Sequence, residues 1–167
     1  MLSLKNLLVT FSIVIFITLA SGLGLVAPAE ATTVSFQWTG KAGYSAKGLF
    51  SYDPPTVPTI VSEKGAGKTN VLQSLVVTFY TPSGAPIGTY DNVVNGVAQG
   101  HFFEFNFDPT TQQIVGRVDL GGELAGEIYL KGTVDDELSL FSVDKSGFER
   151  IIDRGSDSLA AFRQVSS

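Results

Sequence analysis

Val34-Ser35-Phe36-Gln37-Trp38-Thr39-Gly40-Lys41-Ala42-Gly43-Tyr44-Ser45-Ala46-Lys47-Gly48-Leu49-Phe50-Ser51-Tyr52 is a period-two pattern broken once. In an extended chain successive side chains point to opposite faces, so Val34, Phe36 and Trp38 share one face and Ser35, Gln37 and Thr39 the other. Tyr44, Ala46, Gly48, Phe50 and Tyr52 repeat the alternation against Ser45, Lys47, Leu49 and Ser51. Gly40-Lys41-Ala42-Gly43 supplies the turn between them, so the stretch reads as a β-hairpin. Asp53-Pro54-Pro55 and Pro58 end it, because proline lacks a ladder N–H and restricts the residue before it.

The same reading extends outward. Residues 53–70 form a long loop in which Ile60 and Val61 are the core-grade residues. Val71 to Thr81 is a strand with Leu75, Val77 and Phe79 on one face; Pro82-Ser83-Gly84-Ala85-Pro86 turns the chain and Ile87 to Tyr90 returns it. Asn95-Gly96 is a tight-turn dipeptide, since both residues tolerate positive φ. His101 to Phe107 alternates again, with Phe103, Phe105 and Phe107 together, and parity sets His101 half-buried on that face. Strands follow at Ile114 to Leu120, Ile128 to Thr133, Leu138 to Val143 and Phe148 to Asp153. They are divided by Gly121-Gly122, Asp135-Asp136-Glu137 and Asp144-Lys145-Ser146-Gly147. Ser158 to Val165 reads equally as a last strand or a short helix. Helical periodicity is nearly absent, and short strands with regular turn signals predict one all-β domain over residues 32–167, an antiparallel β-sandwich or flattened barrel.

The first 31 residues read differently. Lys5 precedes an apolar run from Leu7 to Val26, and Ala29-Glu30-Ala31 is an A-x-A signature for signal peptidase. Residues 1–31 are therefore expected to be a signal peptide, with the mature chain starting at Thr32; retention of the run as an anchor is the competing reading. Export to the periplasm, cell surface or extracellular space follows. The 167 residues carry 11 Lys and Arg against 16 Asp and Glu, a net charge of −5, with one His and no Cys. That composition excludes disulfides, thiol nucleophiles and Cys- or multi-His metal sites, and it opposes binding to phosphate backbones.

Motifs that carry chemistry are sparse. Gly65-Ala66-Gly67-Lys68-Thr69 resembles the end of a phosphate-binding loop, but Ser62 stands where that motif needs its first glycine and a strand, not a helix, follows. His101 has no Gly-x-Ser-x-Gly nucleophile elbow to serve. Glu123 and Glu127 are the pair to consider for glycosidase chemistry, which takes two carboxylates, although Gly121, Gly122 and Gly126 argue against the helix that would align them. Asp135-Asp136-Glu137, with Asp119, Asp144, Asp153 and Asp157 elsewhere, offers oxygen ligands of the type Ca²⁺ takes, without a D-x-D-x-D-G run. Trp38 shares its face with Val34 and Phe36 and reads as core. Tyr80 and Phe102 fall on the parity opposite their strands' apolar faces, which makes them the candidate ligand-binding residues, as platforms for a sugar ring. No catalytic residue and no cofactor is assigned.

Several segments look alike to one family when taken together. These are Leu49-Phe50-Ser51-Tyr52-Asp53 before a Pro-rich loop, Asn70-Val71-Leu72-Gln73-Ser74-Leu75, and Gly88-Thr89-Tyr90-Asp91-Asn92-Val93-Val94-Asn95-Gly96. Phe105-Asn106-Phe107-Asp108-Pro109-Thr110-Thr111-Gln112-Gln113-Ile114-Val115-Gly116, Asp119-Leu120-Gly121-Gly122-Glu123 and Tyr129-Leu130-Lys131-Gly132-Thr133 complete the set. Through most of residues 32–155 the chain resembles exported cyanobacterial proteins of the PEP-CTERM sorting class. The resemblance implies a signal peptide, a Gly-rich β-domain and delivery to the outer surface or matrix. The Pro-Glu-Pro, apolar and basic tail read by an exosortase in that class is not matched by Ala160 to Ser167, so anchoring through it does not follow. The expected function is a non-enzymatic envelope or matrix protein with a structural or adhesive role. A carbohydrate-binding module is the alternative and a small secreted hydrolase the remote one. Expected partners are extracellular polysaccharide or other envelope proteins, with no nucleic acid and no stable membrane insertion after leader cleavage.

Overall fold

Two antiparallel sheets account for the structure, a computed structural model that describes residues 31–54, 60–155 and 159–163. The expected signal peptide lies outside the described residues. The strands are β1 (Thr32–Thr39), β2 (Ser45–Tyr52), β3 (Val61–Lys64), β4 (Gly67–Lys68), β5 (Leu72–Tyr80), β6 (Pro86–Val94) and β7 (Val97–Ala98). After these come β8 (Glu104–Asp108), β9 (Gln113–Ile114), β10 (Arg117–Gly121), β11 (Ile128–Thr133), β12 (Leu138–Val143), β13 (Glu149–Gly155) and β14 (Ala160–Arg163). Sheet one runs β14-β1-β2-β5-β6-β7-β4, and sheet two runs β13-β12-β11-β10-β8-β3 with β9 beside β8. The sheets do not close into a barrel; the fold is an all-β sandwich. No helix among the described residues is long and apolar enough to cross a membrane.

The hairpin is as the alternation predicts. β1 and β2 pair from Thr32↔Tyr52 to Thr39↔Ser45, and Val34, Phe36, Trp38, Ala46, Phe50 and Tyr52 are all buried. Phe50 joins the sheets: its ring meets Phe105 and Phe107 edge-on, each at 4.9 Å. Such edge-to-face pairs add about 1 kcal/mol each beyond the area they bury. Gly48, paired with Phe36, has to be glycine because a Cβ there would lie 2.0 Å from the Phe36 ring.

Each end of the sandwich is sewn by a buried carboxylate. At one side β3 of sheet two passes into β4 of sheet one through Gly65-Ala66 alone. Glu63 points inward, only 4% exposed, and accepts the backbone N–H groups of Asn70 and Val71 at 2.9 Å, holding the entry to β5. At the other side the β1–β2 turn docks on β13, with Gly40 bridging Gly155 and Lys41 N–H donating to the Arg154 carbonyl. Asp153, 5% exposed, accepts the N–H groups of Ala42 (2.9 Å) and Tyr44 (3.1 Å). Gly40 leaves the space this carboxylate fills, since a Cβ there would come 2.2 Å from Asp153 Oδ2. Both buried carboxylates accept N–H groups that the ladders do not reach.

The structure departs from the sequence expectation in four places and decides one segment left open. Residues 53–70 are not all loop, for they contain β3 and β4, and Ile60 is exposed while Val61 is buried. The strand expected from His101 begins only at Glu104, leaving His101 exposed instead of half-buried on the phenylalanine face. Ile114 to Leu120 is two strands, β9 and β10, because Gly116 adopts φ 63° and turns the chain between them. The return strand at Ile87 to Tyr90 continues to Val94, and the segment left open at the C-terminal end is a strand, β14, paired with β1.

Candidate functional site

The outer face of sheet two carries the site. Cross-strand register sets Gly121, Tyr129 and Phe141 in one row over β10, β11 and β12, and Asp119, Lys131 and Ser139 in the next. The Tyr129 and Phe141 rings stack nearly parallel, 4.9 Å apart. Tyr129 is buried although it faces away from the main core, because two loops fold over it. Residues 122–127 close on β12 through Gly126 N–H to the Val143 carbonyl and Val143 N–H to the Glu127 carbonyl. Residues 99–103 are drawn down by Glu123, which accepts the N–H groups of His101 at 3.0 Å and Phe102 at 2.6 Å.

Between these loops and the sheet lies a cleft of about 200 Å³, walled by Phe102, Tyr129, Val143, Asp119, Lys131 and Glu149. Lys131 Nζ sits 3.0 Å from Asp119 and 6.0 Å from the centres of both the Phe102 and Tyr129 rings. Burial holds the Asp119 carboxyl above the usual aspartate range; Lys131 opposes this, and the charges of Glu123 and Glu104 add to it. Burial also pushes the Tyr129 phenol up, helped by its hydrogen bond to Glu149, so Tyr129 remains a donor over the ordinary pH range.

A second cleft, about 410 Å³, shares Gly122 and Glu123 with the first and is lined further by Asp91, Gln99, His101 and Glu127. Its floor is rigid. Asn92, 3% exposed, donates from Nδ2 to the Gly121 carbonyl at 2.8 Å and accepts Gly121 N–H at 3.1 Å, tying β6 of sheet one to β10 of sheet two. Tyr90 Oη accepts Ile128 N–H at 3.0 Å, and burial raises the pKa of that phenol.

The two candidate ligand-binding residues do not meet. Phe102 is 69% exposed and forms a wall of the first cleft. Tyr80 is half-buried at the end of β5 in sheet one, beneath Lys47 Nζ at 5.4 Å, and lines neither cleft. Glu123 and Glu127 both border the clefts, but Glu123 is engaged as above and Glu127 Oε2 accepts Leu124 N–H at 2.6 Å. In this arrangement both carboxylates hold loops in place. Trp38 is core. Asp135-Asp136-Glu137 is a hairpin tip with Asp135 at φ 68°, and Glu137 pairs with Arg154 at 2.8 Å. Among the described residues no group of three or more His, Asp or Glu is placed to hold a metal ion.

Sequence reasoning did not bring Asp119, Tyr129, Lys131 and Glu149 together as a site. A signal existed in their parity: Leu120 and Leu130 point inward, so Asp119, Tyr129 and Lys131 must point outward. No family model, no curated protein and no solved structure matches the chain.

Proposed function

We propose that this chain is an exported, non-catalytic protein of the cell envelope or extracellular matrix whose adhesive role is to bind polysaccharide at the cleft beside Phe102. The observation that carries this reading is an aromatic ring, 69% exposed, standing over fixed hydrogen-bonding groups at Asp119, Lys131 and Tyr129. Sugars present an apolar ring face and a polar hydroxyl edge; an exposed aromatic matches the first and buried, pre-oriented polar groups match the second. The volume is that of a single sugar unit. Glu123 and Glu127, the carboxylate pair the sequence offered for hydrolysis, both accept backbone N–H groups, which favours binding over turnover.

The test is a glycan-panel binding assay on the purified protein and its Phe102→Ala variant. Saturable binding that Phe102→Ala weakens by about tenfold, with an unchanged melting temperature, is the expected result. A tenfold loss corresponds to about 1.4 kcal/mol. A blank panel removes the reading, and so does binding that Phe102→Ala leaves untouched. The export half is tested by fractionation, where finding the protein only in the cytoplasm overturns it.

A further inference from the structure

We infer that Lys131 is the specificity-determining residue of the cleft beside Phe102, its ammonium donating to a hydroxyl oxygen of a neutral sugar ring seated there. This rests on the glycan-binding reading above and extends it to the side chain that reads the ligand and to the ligand's charge.

Donors in this cleft are scarce. Among the described residues lining it, and with the carboxylates ionised, Tyr129 and Lys131 are the side chains that carry an O–H or N–H group. Asp119, Glu123 and Glu149 only accept, and Phe102 and Val143 do neither. The Tyr129 phenol has a single O–H, which it gives to Glu149. An ammonium has three N–H groups, and Asp119, 3.0 Å away, takes one of them. Backbone donors at the rim are also engaged. Phe102 N–H goes to Glu123 at 2.6 Å, Gly122 N–H to the Ile128 carbonyl at 3.0 Å and Gly147 N–H to the Asp144 carbonyl at 3.0 Å. Lys131 is the lining side chain that still has donors to offer.

Its place is set before a ligand arrives. Register puts Lys131 opposite Asp119 across β10 and β11, and the ammonium stands 6.0 Å from the centres of both the Phe102 and Tyr129 rings. The carboxylate and the two rings together hold it, while 41% of the side chain stays exposed, so the remaining N–H groups are open to the cleft. Charge then decides the kind of oxygen that binds. Asp119 already neutralises Lys131, and Glu123 and Glu149 border the same space of about 200 Å³. A ligand carboxylate finds no net positive charge there and faces acids at close range. A hydroxyl is uncharged: its oxygen accepts from Lys131, and its proton can go to a neighbouring carboxylate. A group that only accepts, or only donates, leaves half of this set unused.

The deciding experiment titrates the purified protein and its Lys131→Met variant, which keeps a long unbranched stem beside the rings. The probes are the methyl glycosides of glucose, galactose and mannose, their monodeoxy derivatives and their uronides. For the glycoside that binds best, removal of one particular hydroxyl is expected to weaken the parent about tenfold. Lys131→Met weakens the intact sugar by a similar factor, and the two changes together cost no more than either alone, because both delete the same bond. Losses that multiply assign that hydroxyl to another partner and overturn the inference, as does a folded Lys131→Met that binds like the parent. Should Lys131→Met melt early, Asp119→Asn carries the test. It keeps an acceptor beside Lys131 and releases the ammonium's charge, so the uronides gain several-fold. Uronides that gain nothing from Asp119→Asn, or that bind the parent as tightly as the neutral sugars, overturn the inference while leaving glycan binding intact. Failure of every sugar in the wider panel removes the reading beneath, and this one with it.

Discussion

Four carboxylates in this protein do the same thing in two different places. Glu63 and Asp153, at the two sides of the sandwich, and Glu123 and Glu127, beside the cleft, all accept backbone N–H groups from neighbouring loops. The first two are about 95% buried, and the second two are half-buried at the cleft. Inside, the carboxylate itself has little water to turn to, so it belongs to the architecture. At the cleft, water or a ligand hydroxyl is an alternative partner, and the same bond becomes adjustable. Burial, more than residue type or bonding pattern, separates the structural acid from the one available to a ligand.

The largest losses are expected at the side seams. Asp153→Ala strands the N–H groups of Ala42 and Tyr44, and Glu63→Ala those of Asn70 and Val71. Each is expected to lose about 3 kcal/mol in urea unfolding, since several hydrogen bonds to one charged, buried group go at once. Gly40→Ala sharpens the same point from the other side. The added methyl competes with the Asp153 carboxylate for its space, and a loss of about 2 kcal/mol is expected in the same assay. Glu123→Ala at the cleft is expected to cost about 1 kcal/mol or less, because the N–H groups of His101 and Phe102 regain water, while glycan affinity falls as the loop lifts. Equal losses for Glu123→Ala and Asp153→Ala would erase the distinction.

The smallest effect is a pH dependence. The Asp119 pKa is raised in the folded protein, chiefly by burial. Its contribution to stability is therefore full below the ordinary aspartate pKa and lost as pH rises through the raised value. Asp119→Asn should flatten that part of the stability profile, which urea unfolding across the acidic range checks. Lys131, Glu123 and Glu104 surround the group, so the profile of the Asn variant isolates its share.

The sandwich was legible wherever alternation and turn residues agree. Ile128–Thr133 and Leu138–Val143 are β11 and β12 to the residue, because each is bounded by turn-forming Gly or acidic residues and has leucines pointing inward. β3 was hidden because Glu63 occupies an inward position, which a pattern of apolar residues cannot anticipate. Its backbone partners, residues 70–71, are identified only by the fold. His101 was misplaced by carrying strand parity past the strand's start, for the N–H groups of 101 and 102 belong to Glu123 and not to a ladder. The cleft was half legible. Parity singled out Phe102 and could have turned Asp119 and Lys131 outward as well, but only the register of β10 on β11 and the two overlying loops bring them to one space. Tyr80 shared the parity argument with Phe102 but lies on the other sheet and lines neither cleft.

One pairing has a mechanical consequence. β1 lies antiparallel to β14, with Val34 opposite Arg163 and Gln37 opposite Ala160, so the two ends of the sandwich leave side by side. A pull between Thr32 and Arg163 peels β14 from β1 one hydrogen bond after another, where a shearing load would meet the whole ladder at once. Such a geometry makes β14 the weak link under tension. It gives way at low force, while the Phe50-centred interior and the cleft on sheet two keep their shape.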